Sequence, residues 1–283
     1  MNRFPTQILL ATDGSENTAQ ATRAAVDIAG GRGSQIHLVH VWHDVRTPHA
    51  HAFVKRELRR QGREVLDEEV RRIEEQGGSV TWSHLREGRI FEEVTRLGDE
   101  REAGLLVVGS RGHRGVRRML VGSHSESIVH HARRPVLVVR CGKDVWPPVR
   151  IVAGDDFSED AWRAAELAAN LGNLFGVRML LVHAVPRSSG APHKAVGTEL
   201  EDRADELEDI LQQRPQTRIV AGDSAEVLIE AAQEGEGPGL VAVGSRGLGL
   251  IGRLRRGSVS TKVVRAGLGA ILVCPTEGKG RLR

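Results

Sequence analysis

The chain has 283 residues, of which 40% are hydrophobic and only 3% aromatic, and it contains no tyrosine. Its 40 basic and 37 acidic side chains give a formal net charge of +3, which is too balanced to indicate nucleic-acid binding. No stretch is apolar enough to predict a membrane span, and the first residues do not show the apolar core of a signal peptide. Cys141 and Cys274 stand apart, without metal or redox spacing, so a cytoplasmic setting is expected.

Strand and helix patterns alternate along the first half of the chain. Ser15 is expected to cap the first helix, and Gly30, Gly31 and Gly33 are expected to end it. Strands joined by helices imply right-handed crossovers and a parallel sheet. In chain order the predicted elements are strand Ile8–Thr12, helix Asn17–Ala29, strand Ile36–Trp42, helix Lys55–Gln76, strand Val80–Leu85, helix Ile90–Leu97, strand Leu105–Val108, helix Ser123–His131 and strand Pro135–Arg140.

The same succession begins again after a linker. Residues 141–149 (CGKDVWPPV) have no periodicity and contain two adjacent prolines. The following segment repeats the start of the chain 143 residues later, so that Asp156 matches Asp13 and His183 matches His40. The first copy is nine residues longer between its second strand and the turn after its third. Two homologous α/β domains are therefore predicted, 1–141 and 149–283, with the repeated histidines supporting the fold.

A glycine-rich segment follows the fourth strand of each copy. The letters GSRG at 109–112 are followed after nine residues by GS at 122–123, and GSRG at 244–247 by GS at 257–258. In an open parallel sheet, ligands bind beyond the carboxyl ends of the strands. Glycine permits positive φ and close backbone approach to a phosphate, and a helix N-terminus beginning at Ser123 attracts an anion. Arginines crowd both segments, at Arg111, Arg114, Arg117, Arg118, Arg246, Arg253, Arg255 and Arg256.

The pattern G-x2-G-x9-G-[S/T], the Asp-Gly-Ser-Glu turn and the final Pro-Val-Leu-Val-Val strand resemble the ATP-binding branch of the universal stress protein family. The resemblance occurs twice, and the two copies together cover nearly the whole chain, as in a tandem member of the family. It implies two doubly wound five-stranded parallel sheets, Rossmann-like and adenine-nucleotide α-hydrolase-like, related by an internal pseudo-twofold. Because the family commonly dimerises through its last strands, it also implies an intramolecular pseudo-dimer through Pro135–Arg140 and Ala270–Cys274. A homodimer of the whole chain stays open.

The resemblance further implies an adenine nucleotide, ATP, AMP or ADP, often with a divalent cation such as Mg²⁺. Phe157 stands where the family has glycine, and Asp155 replaces an apolar or β-branched residue, so the second pocket is expected to be narrower or more charged. Carried over by position, the first site comprises Thr12, Asp13, Val41, Gly109, Arg111, Gly112, Gly122, Ser123 and Ser125, and the second Asp156, Ala184, Gly244, Arg246, Gly247, Gly257, Ser258 and Ser260.

Other nucleotide motifs fit less well. The letters GLGLIG at 247–252 match the dinucleotide fingerprint, but no acidic residue follows from Arg253 to Thr276, so NAD is rejected. A Walker A loop is absent, and the histidine pairs lack metal-ligand spacing. Neither glycine segment contains a carboxylate. The sequence therefore predicts a nucleotide-dependent stress-response switch with an unidentified protein partner and no assigned catalytic or metal residue. A slow ATPase using Ser123 or His113, and a scaffold with one or both sites empty, are the alternatives.

Overall fold

The computed structural model describes residues 4–42, 51–110, 123–142, 144–187, 194–245, 258–267 and 269–276. The chain separates into two compact units, one formed by Pro5–Gly142 and the other including Lys143–Arg283. Each unit is an α/β structure built on five parallel strands. Among the described residues, no helix is long and apolar enough to cross a lipid bilayer.

The elements of the first unit are β1 Gln7–Ala11, α1 Ala19–Arg32, β2 Gln35–Trp42, α2 His51–Glu75, β3 Val80–Glu87, α3 Ile90–Glu100, β4 Leu105–Gly109, α4 Ser123–His131 and β5 Val136–Val139. Its strand order is β3-β2-β1-β4-β5. The winding direction reverses between β1 and β4, which are paired through Ile8 and Leu105. This reversal makes the sheet doubly wound and opens a crevice at the carboxyl ends of the two central strands.

The elements of the second unit are β6 Arg150–Gly154, α5 Glu159–Phe175, β7 Met179–Val185, α6 Lys194–Leu211, β8 Gln216–Ala221, α7 Ser224–Gln233, β9 Gly239–Gly244, α8 Ser258–Ala266 and β10 Ala270–Cys274. They repeat the arrangement of the first unit, with the strand order β8-β7-β6-β9-β10. Strands β6 and β9 pair at the centre, with Ile151 opposite Leu240, and the winding reverses between them. The predicted pair of doubly wound, five-stranded sheets is thus confirmed.

The beginning and end of α1 differ from the prediction. A short 3₁₀ turn, Glu16–Thr18, precedes the helix, and the Ser15 side chain makes no capping bond. Its hydroxyl instead donates to Asp13 Oδ1 at 2.7 Å. Gly30 and Gly31 lie inside the helix, which ends where Gly33 adopts φ +71° and its N–H bonds to the carbonyl of Ala29. Only Gly33 therefore acts as the stop, because it alone supplies the left-handed cap.

A stacked histidine pair joins β2 to the edge strand β3. The rings of His37 and His84 lie 5.5 Å apart and almost parallel, with Nδ1 of His37 3.3 Å from Nε2 of His84. Burial, reinforced by Arg101, lowers the pKa of His37. Burial also lowers the pKa of His84 to about 4, with Arg101, His37 and Arg86 adding to the shift and Glu100 opposing it. The folded unit therefore opposes protonation of both rings and keeps His84 neutral down to about pH 4.

This pair predicts a loss of stability in mild acid. Above about pH 6.5 both rings are neutral in the folded and unfolded chain. Below it the unfolded chain binds protons that the folded unit resists, so the free energy of unfolding falls as the pH approaches 4. We expect His84→Gln to lose less stability than the wild type between pH 7 and pH 5, measured by urea unfolding. His131→Gln, at an exposed position, should follow the wild type; an equal pH slope for both variants would contradict the prediction.

Candidate functional site

A cleft lies at the winding reversal of the first unit. It opens beyond the carboxyl ends of β1, β2 and β4, and α3 and α4 form its sides. The cleft encloses about 530 Å³, including its open mouth. Its lining is Ala11, Thr12, Asp13, Thr18, Val39, Val41, Ile90, Val94, Val108, Gly109, His124, Ser125 and Ile128.

The second unit has a matching cleft of about 500 Å³. It lies beyond β6, β7 and β9, with α7 and α8 at its sides. Asp156 occupies the position of Asp13, Ala184 that of Val41, and Gly244 that of Gly109. The sequence repeat thus places equivalent residues around equivalent cavities. Its lining is Gly154, Asp155, Asp156, Ala161, Val182, Ala184, Ser224, Leu228, Val243, Gly244 and Val259.

Each cleft has an aspartate held in a tight turn. Asp13 Oδ1 accepts hydrogen bonds from the backbone N–H and the hydroxyl of Ser15, at 3.1 and 2.7 Å. Asp156 Oδ1 accepts from the N–H of Ser158 at 3.1 Å, and the Ser158 hydroxyl caps α5 by accepting from the N–H of Ala161. A side-chain oxygen that bonds two residues ahead fixes such a turn. Both carboxylates are therefore fixed on the cleft wall at the strand end.

Thr12 is bound to a buried carboxylate behind the first cleft. Its hydroxyl accepts from the N–H of Gly14 at 3.0 Å and donates to Oε2 of Glu69 at 3.1 Å. Glu69 is 1% exposed and also accepts from the Thr22 hydroxyl and from Nη1 of Arg72. The Thr12 hydroxyl thus supports the turn from behind.

Sequence reasoning does not single out Glu69, because the charges of its helix alternate at intervals of four residues, a pattern that is typical of a solvated face. A signal was present. Glu69 is spaced with the buried Leu66 and Ile73 at helical intervals of three and four residues. A carboxylate on that stripe had to face the interior of the unit.

The equivalent position in the second unit carries an ion pair. The Asp155 side chain is fully buried, and its two oxygens lie 2.8 and 2.9 Å from Nη1 of Arg203. Burial raises the pKa of Asp155, against the opposing effects of the Arg203 guanidinium and of the Phe157 N–H. Asp155 lines the cleft as expected, but Arg203 balances its charge. The Phe157 ring stacks on His183 at 4.6 Å and is not among the residues that line the cleft.

The glycines that end β4 and β9 are required by helix packing. A Cβ on Gly109 would lie 3.2 Å from Cγ2 of Thr18, and one on Gly244 only 2.7 Å from the backbone N of Ala161. Neither glycine has a positive φ, so the conformational reason expected for them is wrong. Their lack of a side chain allows a helix start to lie directly against the strand end. That contact brings the helix to the rim of the cleft.

Helix N-termini face both clefts. His124 and Ser125, in the first turn of α4, line the first cleft, and Val259 of α8 lines the second. The Ser125 hydroxyl is buried and donates to the carbonyl of Gly109 at 2.7 Å. Ser125 therefore ties the helix to the strand end, and a phosphate would compete with that bond. The first-turn N–H groups still favour an anion by about 0.3–1 kcal/mol.

Part of the predicted site cannot be placed. Ser123 is the first residue of α4, exposed beside the cleft, and Ser260 is buried in α8. Ser258 is the first residue of α8. Among the described residues, no group of three or more His, Cys, Asp or Glu side chains is arranged to hold a metal ion. Six predicted residues lie outside the described part of the chain: Arg111, Gly112, Gly122, Arg246, Gly247 and Gly257.

The repeated histidines support the strand ends, as predicted. Nδ1 of His40 lies 2.9 Å from the carbonyl oxygen of Thr12, and Nδ1 of His183 lies 2.7 Å from that of Asp155. Because a carbonyl oxygen can only accept, Nδ1 of each ring carries the proton and donates it to the end of the neighbouring strand. The bond thus fixes the tautomer of each histidine. The bond anchors the residue immediately before the cleft aspartate in both units.

These features define a duplicated α/β protein with a cleft at each winding reversal. A model of the universal stress protein family matches residues 6–140 and again 149–275, and the chain belongs to that family. Universal stress protein Rv1996 of Mycobacterium tuberculosis is 29% identical over 303 residues, covering 94% of either chain. Universal stress protein MJ0531 of Methanocaldococcus jannaschii is 27% identical over 139 residues, 47% of this chain and 81% of its own. A solved universal stress protein from Archaeoglobus fulgidus shares the fold, with a TM-score of 0.74, 22% identity, and coverage of 96% of this chain and 99% of that one.

Proposed function

We propose that this universal stress protein binds an adenine nucleotide in each cleft and acts as a nucleotide-dependent regulator. The observation that carries the proposal is the duplicated cleft itself. In both units an apolar floor lies between a fixed aspartate and a helix N-terminus. Such a site offers separate surfaces to a base, a sugar and a phosphate. The output of the regulator would be a change in affinity for a protein partner.

The chemistry of the first cleft fits a nucleotide. Val41 and Val108 offer apolar contacts to a flat base, and the backbone of Val41 can bond its edge. Asp13, at the end of β1, is placed to accept from a ribose hydroxyl. The phosphates would then lie toward the N-terminus of α4, where backbone N–H groups and the helix dipole stabilise negative charge. A divalent cation such as Mg²⁺ would bind on the phosphates, as the family resemblance implies.

The second cleft offers the same functional groups. Asp156 would meet the ribose, Ala184 would leave more room for the base than Val41 does, and α8 would meet the phosphates. The Asp155 carboxylate reaches this cleft already bound to Arg203, so it adds less net charge than its identity suggests. We therefore propose two nucleotide sites per chain.

Filling one cleft at a time tests this stoichiometry. We expect calorimetric titration of the wild type with ATP or AMP to give two binding equivalents per chain. Val41→Phe and Ala184→Phe each place a large ring in one cleft, so each variant should retain one equivalent. The two variants control for each other, since they change matching strand positions in separate units. Full stoichiometry in either variant would show that the nucleotide binds elsewhere.

A nucleotide-dependent regulator is expected to bind and release ATP without hydrolysing it. We expect purified protein incubated with ATP and Mg²⁺ to release phosphate no faster than the double variant Val41→Phe/Ala184→Phe. Phosphate release well above that of the double variant would favour the slow-ATPase alternative. Absence of binding by the wild type would favour the scaffold. The predicted cytoplasmic location stays a prediction.

A further inference from the structure

The turn at each cleft aspartate is closed by an equivalent hydrogen bond, but the accepting group differs between the two units. In the first unit the Thr12 hydroxyl accepts from the N–H of Gly14 at 3.0 Å. In the second unit Oδ1 of Asp155 accepts from the N–H of Phe157 at 2.7 Å. Both oxygens belong to the residue immediately before the aspartate. The geometry of the turn is thus kept although a neutral hydroxyl has been exchanged for a carboxylate.

The long helix behind each turn carries the complementary change. Glu69 of α2 and Arg203 of α6 occupy equivalent positions, at the same sequence interval that relates Gly88 to Gly222. Glu69 accepts from the Thr12 hydroxyl, whereas Arg203 donates to the Asp155 carboxylate. Mixed pairs would fail, because Glu69 would repel a buried carboxylate and Thr12 would leave a guanidinium without its counter-charge. The two positions in each unit therefore act as a matched clamp.

Arg203 holds the residues on both sides of Asp156. Its Nη1 bonds the carboxylate of Asp155, and its Nη2 donates to the carbonyl of Phe157 at 2.9 Å. Phe157 has φ +65°, a conformation that residues with a side chain rarely adopt. The Arg203 guanidinium also lies 5.3 Å from the centre of the Phe157 ring and 5.4 Å from that of Trp162. These contacts over-determine the strained turn, as such conformations require.

We propose that Arg203 is a positioning residue of the second cleft, which fixes Asp156 for ligand binding by clamping Asp155 and Phe157. This inference rests on the proposed nucleotide function of that cleft. Glu69 does the equivalent work in the first cleft through Thr12 alone, since Gly14 takes φ +76° without strain. The two clefts thus have the same binding geometry but different supports. The second depends on a helix cation that the first does not need.

The test separates positioning from simple folding. All variants are made with Val41→Phe, so that only the second cleft binds. Asp155→Thr/Arg203→Met removes both charges of the ion pair. Because neither charge is left buried without its partner, the fold should be preserved. Asp155→Thr/Phe157→Gly/Arg203→Gln installs the turn residues of the first unit and places an uncharged acceptor where that unit has Glu69. Glutamine is used because the residue three positions after Arg203 is Glu206, whereas Glu69 is followed at that interval by its partner Arg72. The readouts are the Kd for ATP and the hydrogen exchange of the amides of residues 157 and 158, with exchange in the core of α6 as the folding control.

We expect the double variant to keep core protection, to weaken ATP binding by about tenfold or more, and to exchange the two turn amides faster. The triple variant should recover both the affinity and the protection. A double variant that matches the wild type, or a triple variant as weak as the double, would overturn the proposal. If the starting protein binds no ATP, the proposed function fails. In that case hydrogen exchange of the two turn amides alone tests whether Arg203 clamps the turn. Faster exchange in the double variant would support the clamp, and unchanged exchange would overturn it.

Discussion

Replacing Gly244 by alanine is expected to lower the free energy of unfolding of the second unit by about 1–3 kcal/mol or more. The added Cβ would stand 2.7 Å from the backbone N of Ala161 and 2.8 Å from Cβ of Asp160. These atoms belong to the first turn of α5, so relief requires a shift of the whole helix start. Because that helix borders the cleft, nucleotide affinity should fall as well. Urea unfolding followed by hydrogen exchange in each unit measures the effect.

Two alanine substitutions serve as controls for this prediction. Gly197→Ala lies in α6, where the nearest atom to a new Cβ is 4.0 Å away, so it should be neutral or stabilise by up to about 1 kcal/mol. Gly109→Ala should be milder than Gly244→Ala, because its closest contact is the Thr18 methyl at 3.2 Å. Equal effects of Gly244→Ala and Gly197→Ala would show that close packing is not the reason for the glycine.

Replacing Glu69 by alanine is expected to lower the free energy of unfolding of the first unit by about 3 kcal/mol. The substitution removes the carboxylate that accepts from the buried Thr12 hydroxyl and pairs with Arg72, and it leaves the Thr22 hydroxyl with the carbonyl of Thr18 as its acceptor. The Thr12 turn should loosen, and nucleotide binding in the first cleft should weaken more than in the second. Titration of the Ala184→Phe background isolates that cleft.

Glu64→Ala, on the same helix, is the matched control for Glu69→Ala. Glu64 pairs with Arg60 at the surface, and its side chain is 58% exposed. Surface pairs of this kind contribute about 0–1 kcal/mol, so little change in stability or binding is expected. If Glu69→Ala were as mild as Glu64→Ala, the buried hydrogen-bond network would not support the first cleft.

The fold and the place of the clefts follow from local patterns in the sequence. Buried strands such as β4 and β10 read directly as apolar runs, and the strand–helix alternation gives the doubly wound topology. The matched aspartates and glycines follow strands of a parallel sheet, whose carboxyl ends all lie at one edge. Their positions in the sequence therefore indicate where the clefts are. Duplication makes these short motifs specific, since the same spacing occurs twice in the chain.

The supports of the clefts depend on contacts between distant segments, which local patterns do not record. Glu69 and Arg203 reach their partners 57 and 48 residues away. Arg203 lies on a buried helical stripe with Leu200 and Leu207, a signal of an inward-facing charge that an overall count of helix charges conceals. The orientation of Phe157 was also beyond sequence reasoning, because its ring position depends on His183 and Arg203 together.

Native mass spectrometry of the full chain with ATP tests the central claim most directly. The account predicts adducts of one and two ATP molecules per chain, with no comparable adducts of GTP. The single variants Val41→Phe and Ala184→Phe should stop at one, and the double variant at none. A wild-type spectrum without ATP adducts, or a double variant that still binds two, would contradict two adenine-nucleotide clefts at the strand ends.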